Sequence, residues 1–139
     1  MTHVEKAAAI FKEKFNCAQA VLGAYAEDFG MSEEEALRVA ICFSGGMRNA
    51  EVCGAVSGAL MVIGLKYGQV DDGKTVSYGK AVEFMDKFKK ENGSYICKEI
   101  LGYDISTADG MKNASEKNLF NDICPKMVES AVKILEEMI

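Results

Sequence analysis

The most informative segment of the chain is residues 50–67, which read AEVCGAVSGALMVIGLKY. Wound as a helix, this segment is apolar on nearly every side, and such a helix in a globular protein is surrounded by other helices. Gly54 and Gly58 lie one turn apart with Ala55 and Ala59 beside them, so one face lacks bulky side chains and lets another backbone approach closely. We therefore predict that a helix over about residues 50–67 forms the centre of the fold.

Helical periodicity continues on both sides of this segment, and no run of five or more residues alternates as a half-buried strand would. Residues that can cap a helix N-terminus precede the helical stretches: Thr2, Asn16, Ser32, Asn49 and Ser94. The last helix begins near Pro125, because proline suits the first helical position. Residues 103–120 have weak periodicity and are predicted to form a loop with a possible helical turn. The pattern predicts an all-α bundle of about six to seven helices.

Length and composition favour one domain. A chain of 139 residues would give two domains cores near the lower size limit, so residues 1–139 are predicted to form a single helical domain. With 49% hydrophobic residues, 27% charged residues and one proline, the composition is that of an ordinary globular protein and excludes collagen-like and low-complexity classes.

The charge pattern excludes several classes of partner. The formal net charge is −5 and there is no basic run, so nucleic acid is not an expected partner. The longest apolar stretch, residues 52–65, is shorter than the roughly 20 residues that span a bilayer, so no membrane insertion is expected. The N-terminal apolar run is too short for a secretory signal, and we predict a cytoplasmic protein.

Five cysteines are the residues that point to chemistry, because a reducing compartment favours metal binding or redox reactions over static disulfides. Four of them lie near predicted helix starts: Cys17, Cys53, Cys97 and Cys124. The partial positive charge and free amides of a helix N-terminus stabilise a thiolate, so each thiol is predicted to have a lowered pKa. If the four helix starts converge, a metal or a disulfide would accommodate the resulting charge.

Other features favour structural roles. Cys42 falls in the last turn of the third helix beside Phe43, where the helix dipole raises a thiol pKa, so core packing is expected. His3, the only histidine, is predicted to lie on the surface. The pair Gly45-Gly46 is explained by a helix end, with an amide nest near Cys53 as the alternative. No CxxC is present, which excludes a zinc knuckle and a thioredoxin motif.

The residues together resemble a known family. Asn16-Cys17-Ala18, the Gly45-Gly46 pair, the segment CGAVSG at 53–58, Cys97 and Cys124 are similar to the motifs of the C_GCAxxG_C_C family, whose members are described as redox-active. The family has about this chain length, four characteristic cysteines and a CGAxxG motif. The resemblance implies that Cys17, Cys53, Cys97 and Cys124 are the family cysteines, and Cys42 has no counterpart.

Three functions are compatible with these residues. In the first, Cys17, Cys53, Cys97 and Cys124 bind a metal centre, with an iron-sulfur cluster favoured over zinc. In the second, two of them form a thiol-disulfide oxidoreductase, with Cys53 as nucleophile and Cys17 as its partner. In the third, the protein is a structural monomer or homo-oligomer, and its cysteines are inert or bind zinc. The redox partner is not identified by the sequence.

Overall fold

The computed structural model describes residues 1–69 and 71–139. Its helices are α1 (His3–Lys12), α2 (Cys17–Tyr25), α3 (Glu33–Ala40), α4 (Gly54–Tyr67), α5 (Gly73–Asn92), α6 (Cys97–Leu101), α7 (Ala108–Glu116), α8 (Leu119–Asp122) and α9 (Cys124–Met138). Short 3₁₀ segments extend α2 and α3 at Ala26–Phe29 and Ile41–Phe43. The all-α, single-domain class predicted from the sequence is confirmed.

Helix α2 lies at the centre of the main core: all nine of its residues are buried, and it packs against α1, α3, α4 and α9. Helix α4 packs against α2, α5 and α9, but only seven of its 14 residues are buried, so the prediction that it forms the centre of the fold is wrong. The largest fully buried side chains of this core include Tyr25, Phe84 and Phe88. A second, smaller hydrophobic cluster forms between α6 and α7 around Leu101 and Ala114. In the described part of the chain, no helix is both long and apolar enough to cross a membrane.

The small-residue face of α4 meets the start of α2, as the glycine spacing predicts. A Cβ atom at Gly58 would lie 2.8 Å from the Ala18 carbonyl oxygen, and one at Gly54 would lie 3.3 Å from the Ala18 amide nitrogen. Glycine at these positions therefore lets the backbones of α2 and α4 come together. The same face holds the beginnings of the two helices side by side.

Several details differ from the sequence-based expectations. Helix α4 begins at Gly54 rather than near residue 50, so Asn49 does not cap it. The prediction of a loop over residues 103–120 is wrong, because α7 lies within it, capped by the Thr107 hydroxyl, which accepts the Gly110 amide. The spacing of apolar residues in α3 predicts that Val39 faces inward, but it is 52% exposed because α3 buries only the face that contains Ala36 and Ala40.

A left-handed turn joins α3 to α4. Its residues with positive φ are Gly45 (68°), Gly46 (62°), Met47 (58°), Arg48 (64°) and Ala50 (57°). A Cβ at Gly46 would lie 2.2 Å from the Glu51 nitrogen, so this glycine is required by the turn. The three non-glycine residues each adopt a conformation that costs about 1–2 kcal/mol. The surrounding contacts must offset that strain.

Candidate functional site

One cavity collects the four cysteines that the sequence singles out. It has a volume of about 200 Å³ and is lined by Cys17, Cys53, Cys97 and Cys124. The rest of its wall is mostly apolar, with Phe11, Phe15, Ile105 and Phe120 among the lining residues. All five cysteines of the chain are free thiols, and the fifth, Cys42, is exposed on the surface. Sulfurs that are distant in sequence therefore share one pocket.

Local sequence signals place each of these cysteines at a helix start. Cys17, Cys97 and Cys124 are the first residues of α2, α6 and α9, and Cys53 occupies the N-cap position of α4. The expected helix-start positions are thus observed. Cys42 lies in the 3₁₀ turn after α3, and the prediction that it packs in the core is wrong because this turn faces solvent.

A short antiparallel bridge brings Cys53 and Cys97 together. Val52 pairs with Ile96. The Cys53 amide donates to the Tyr95 backbone carbonyl at 2.8 Å, and the Cys97 amide donates to the Glu51 backbone carbonyl at 2.5 Å. These bonds join the starts of α4 and α6, which the sequence could not relate to each other.

Cys124 lies where the two hydrophobic clusters meet. Its side chain packs against both clusters, whereas Cys17 and Cys53 belong to the main core and Cys97 belongs to the smaller one. Cys124 is also the least buried of the four.

Burial, rather than the helix dipole, controls two of the thiols. Burial raises the pKa of Cys53 to about 11, although the nearby backbone amides of Ala55 and Val56 oppose the rise. Burial likewise raises the pKa of Cys97 to about 12, with the nearby Arg48 charge opposing it. The expectation that every helix start lowers the thiol pKa is therefore wrong at these positions, because desolvation of a thiolate outweighs the dipole.

Cys17 and Cys124 form an interacting pair. The interaction between the two side chains raises the pKa of Cys17, and burial raises it further. The same interaction lowers the pKa of Cys124, as does its own backbone amide, whereas burial opposes this lowering. The pair therefore favours a thiolate at Cys124 with Cys17 as the neutral thiol. Cys124 is the one family cysteine whose environment favours ionisation.

Two residues of the site were missed by sequence reasoning. Ser44 is buried, and its hydroxyl accepts the Ala18 amide of α2 at 3.1 Å. Arg48 reaches the cavity from the left-handed turn. Neither residue is marked by a motif in the sequence around it, because each contacts parts of the structure that are distant along the chain. The Gly45-Gly46 pair, which precedes Arg48, was the available signal for an unusual backbone here.

A Ser44→Ala variant tests whether the Ser44 hydroxyl stabilises the start of α2. The buried Ala18 amide would lose its acceptor, and an unsatisfied buried donor costs about 1–3 kcal/mol. We expect the free energy of unfolding, measured by urea denaturation, to fall by that amount. The exposed Ser115→Ala substitution is the control and should change it by less than about 0.5 kcal/mol. Equal effects of both substitutions would contradict the support assigned to Ser44.

A metal ion is held by several ligand side chains gathered around one point. Within residues 1–69 and 71–139, no group of three or more His, Cys, Asp or Glu side chains is arranged to hold one. His3 lies away from the cavity and is only partly exposed, because its ring stacks on Tyr25 with centroids 4.0 Å apart and contacts Asp28 and Glu136. The four thiols suit a soft metal in type, but their present arrangement does not form a ligand set.

Comparison with known proteins gives one match. A family model described as "Putative redox-active protein (C_GCAxxG_C_C)" matches residues 15–138. No curated protein and no solved structure matches the chain. The matched range contains all four cavity cysteines and the glycines that bring α2 and α4 together.

Proposed function

Because the chain belongs to the C_GCAxxG_C_C family of redox-active proteins, we propose that it is a small thiol-disulfide redox protein. In this proposal Cys17 and Cys124 cycle between a dithiol and a disulfide. The observation that carries it is that these two thiols line the same cavity and interact, with Cys17 lowering the pKa of Cys124. The sequence favoured Cys53 as nucleophile, and the raised pKa of that thiol now favours Cys124 instead.

The proposed reaction is a thiol-disulfide exchange in two steps. The Cys124 thiolate attacks one sulfur of a substrate disulfide, forming a mixed disulfide and releasing the other half as a thiolate that takes up a proton. Cys17 then loses its proton and attacks the Cys124 sulfur, which releases the second half. Two electrons pass to the substrate, which becomes two thiols. A dithiol reductant returns the protein to its starting state.

Burial suits these two roles. Cys124 is partly exposed, so it is accessible for the first attack, whereas Cys17 is buried beside it and acts second. The cytoplasm predicted from the sequence would keep the pair reduced between cycles.

A metal centre is the second candidate. It is favoured by the shared cavity, which is lined by four cysteines and no histidine, a donor set typical of iron-sulfur clusters and some zinc sites. Cys17, Cys53, Cys97 and Cys124 would be the ligands. Because no three of them are arranged for a metal, this function requires the helix starts to move together.

Thiol counting under nitrogen tests the first function. In a Cys42→Ala background, four thiols remain. We expect oxidation by hydroxyethyl disulfide to leave two thiols titratable after denaturation, and a dithiol reductant to restore all four. Iron, zinc and acid-labile sulfide are measured on the same preparation before oxidation.

Cys97→Ser separates the two candidates. The variant should still lose two thiols on oxidation if Cys17 and Cys124 are the redox pair. Stoichiometric iron and labile sulfide that disappear in Cys97→Ser would instead support the cluster and overturn the dithiol function. The dithiol function would also be overturned if all four thiols of the Cys42→Ala protein remained titratable after oxidation.

A further inference from the structure

Arg48 is the only charged residue among the described residues that line the cysteine cavity. No carboxylate shares that wall, although the chain as a whole has a net charge of −5. The cavity therefore presents one positive charge beside four sulfurs, within an otherwise apolar lining. This local charge is opposite in sign to that of the molecule.

The guanidinium has capacity to bind an anion. One nitrogen donates to the Ser44 carbonyl at 3.3 Å, and this is its one hydrogen bond among the described residues. In the same part of the structure Arg48 forms no ion pair, so most of its five donors are unused. A planar guanidinium matches the two oxygens of a carboxylate.

The backbone that carries Arg48 is strained. Arg48 and its neighbour Met47 both have positive φ, a conformation that non-glycine residues rarely adopt. Strain of this kind persists where the surroundings hold it in place and is concentrated at functional sites. Here it directs a cation to the cavity that contains Cys17 and Cys124.

We infer that Arg48 is a specificity-determining residue that selects small disulfides bearing a carboxylate. The inference rests on the proposed dithiol function and adds the substrate class. A cavity of about 200 Å³ suits a small molecule, whose carboxylate would pair with the guanidinium while its disulfide faces the Cys124 sulfur. The exchange then follows the two steps already described, and the released products are two small carboxylated thiols.

A charge series of small disulfides tests this inference. The probes are 3,3′-dithiodipropionate, hydroxyethyl disulfide and cystamine, which are anionic, neutral and cationic at neutral pH. In the Cys42→Ala background, the rate of disulfide formation within the protein should fall in that order. Arg48→Gln should slow the reaction of the anionic probe by about tenfold and leave the neutral probe within about twofold.

Arg38→Gln is the matched control, because Arg38 is the only other arginine and is exposed on α3 away from the cavity. It should leave the rate with every probe unchanged. If Arg48→Gln slows all three probes equally, or if it has no effect, the selectivity is overturned while the dithiol function stands. If no probe oxidises the unmodified protein, the dithiol function itself fails.

Discussion

A Cys124→Ser variant is expected to lose internal disulfide formation completely, and the first exchange with a small disulfide should slow at least about tenfold at pH 8. At this pH a thiol of pKa about 11, such as Cys53, is ionised to about one part in a thousand, and Cys97 is ionised less. Cys124 has a pKa below that of an ordinary thiol. Cys17 loses the influence of Cys124 in this variant, but burial still raises its pKa, so none of the remaining cavity thiols ionises as readily as Cys124.

The pH dependence has a definite sign. The rate in the protein with Cys124 present should rise with pH and level off at a lower pH than it would for an ordinary thiol, because the pKa of Cys124 is lowered. In Cys124→Ser the residual rate should continue to rise toward pH 11, because Cys53 then ionises. The ratio between the exchange rates of the two proteins therefore becomes smaller as the pH increases. A quenched time course with mass spectrometry measures both rates.

Both rates are measured in a Cys42→Ala background, which removes the exposed thiol. The Cys42→Ala protein with Cys124 present is the control. Cys42→Ala alone should retain the full reaction of the cavity thiols, since Cys42 does not line the cavity. If Cys124→Ser reacts as fast as the Cys42→Ala protein at pH 8, Cys124 is not the nucleophile.

The second large effect is expected at Gly58. Replacement by Leu would place a side chain where a Cβ alone lies 2.8 Å from the Ala18 carbonyl oxygen. Backbone atoms cannot move aside as a flexible side chain does, so α2 and α4 must separate. We expect the free energy of unfolding to fall by more than about 3 kcal/mol, measured by urea denaturation. The separation should also move Cys17 and slow formation of the disulfide.

Gly64 provides a matched control on the same helix. It is exposed, and a Cβ there would have no neighbour within 4 Å. Gly64→Leu should therefore stabilise the helix by up to about 1 kcal/mol, because glycine is a poor helix former. If Gly58→Leu does not fold, Gly58→Ala should still be destabilised relative to Gly64→Ala. The same stability for both alanine variants would refute the close approach of α2 and α4.

The sequence predicted the starts of α1, α2 and α3 correctly because their capping signals are local, whereas Asn49 and Ser94 do not cap the helices that follow them. The Thr2, Asn16 and Ser32 side chains each accept an amide at the start of their helix, as the capping pattern indicates. The expected close approach at Gly54 and Gly58 is also observed. The signal for each of these features lies in residues within a few positions of one another.

Features that depend on distant contacts could not be predicted. The interaction between Cys17 and Cys124 arises from the packing of α2 and α9, and nothing near either residue specifies it. Burial at Cys53 reverses the pKa shift expected from its helix start, and burial depends on the whole fold. The positive φ of Arg48 likewise follows no local rule, because arginine does not favour that conformation.

Mass-spectrometric mapping of the oxidised protein tests the central claim most directly. The protein is oxidised under nitrogen, its free thiols are alkylated in denaturant, and the linked peptides are identified after proteolysis. The account predicts one disulfide, between Cys17 and Cys124, with Cys53 and Cys97 recovered as alkylated thiols. A bond joining Cys53 to Cys97, or the absence of any internal disulfide, would contradict it.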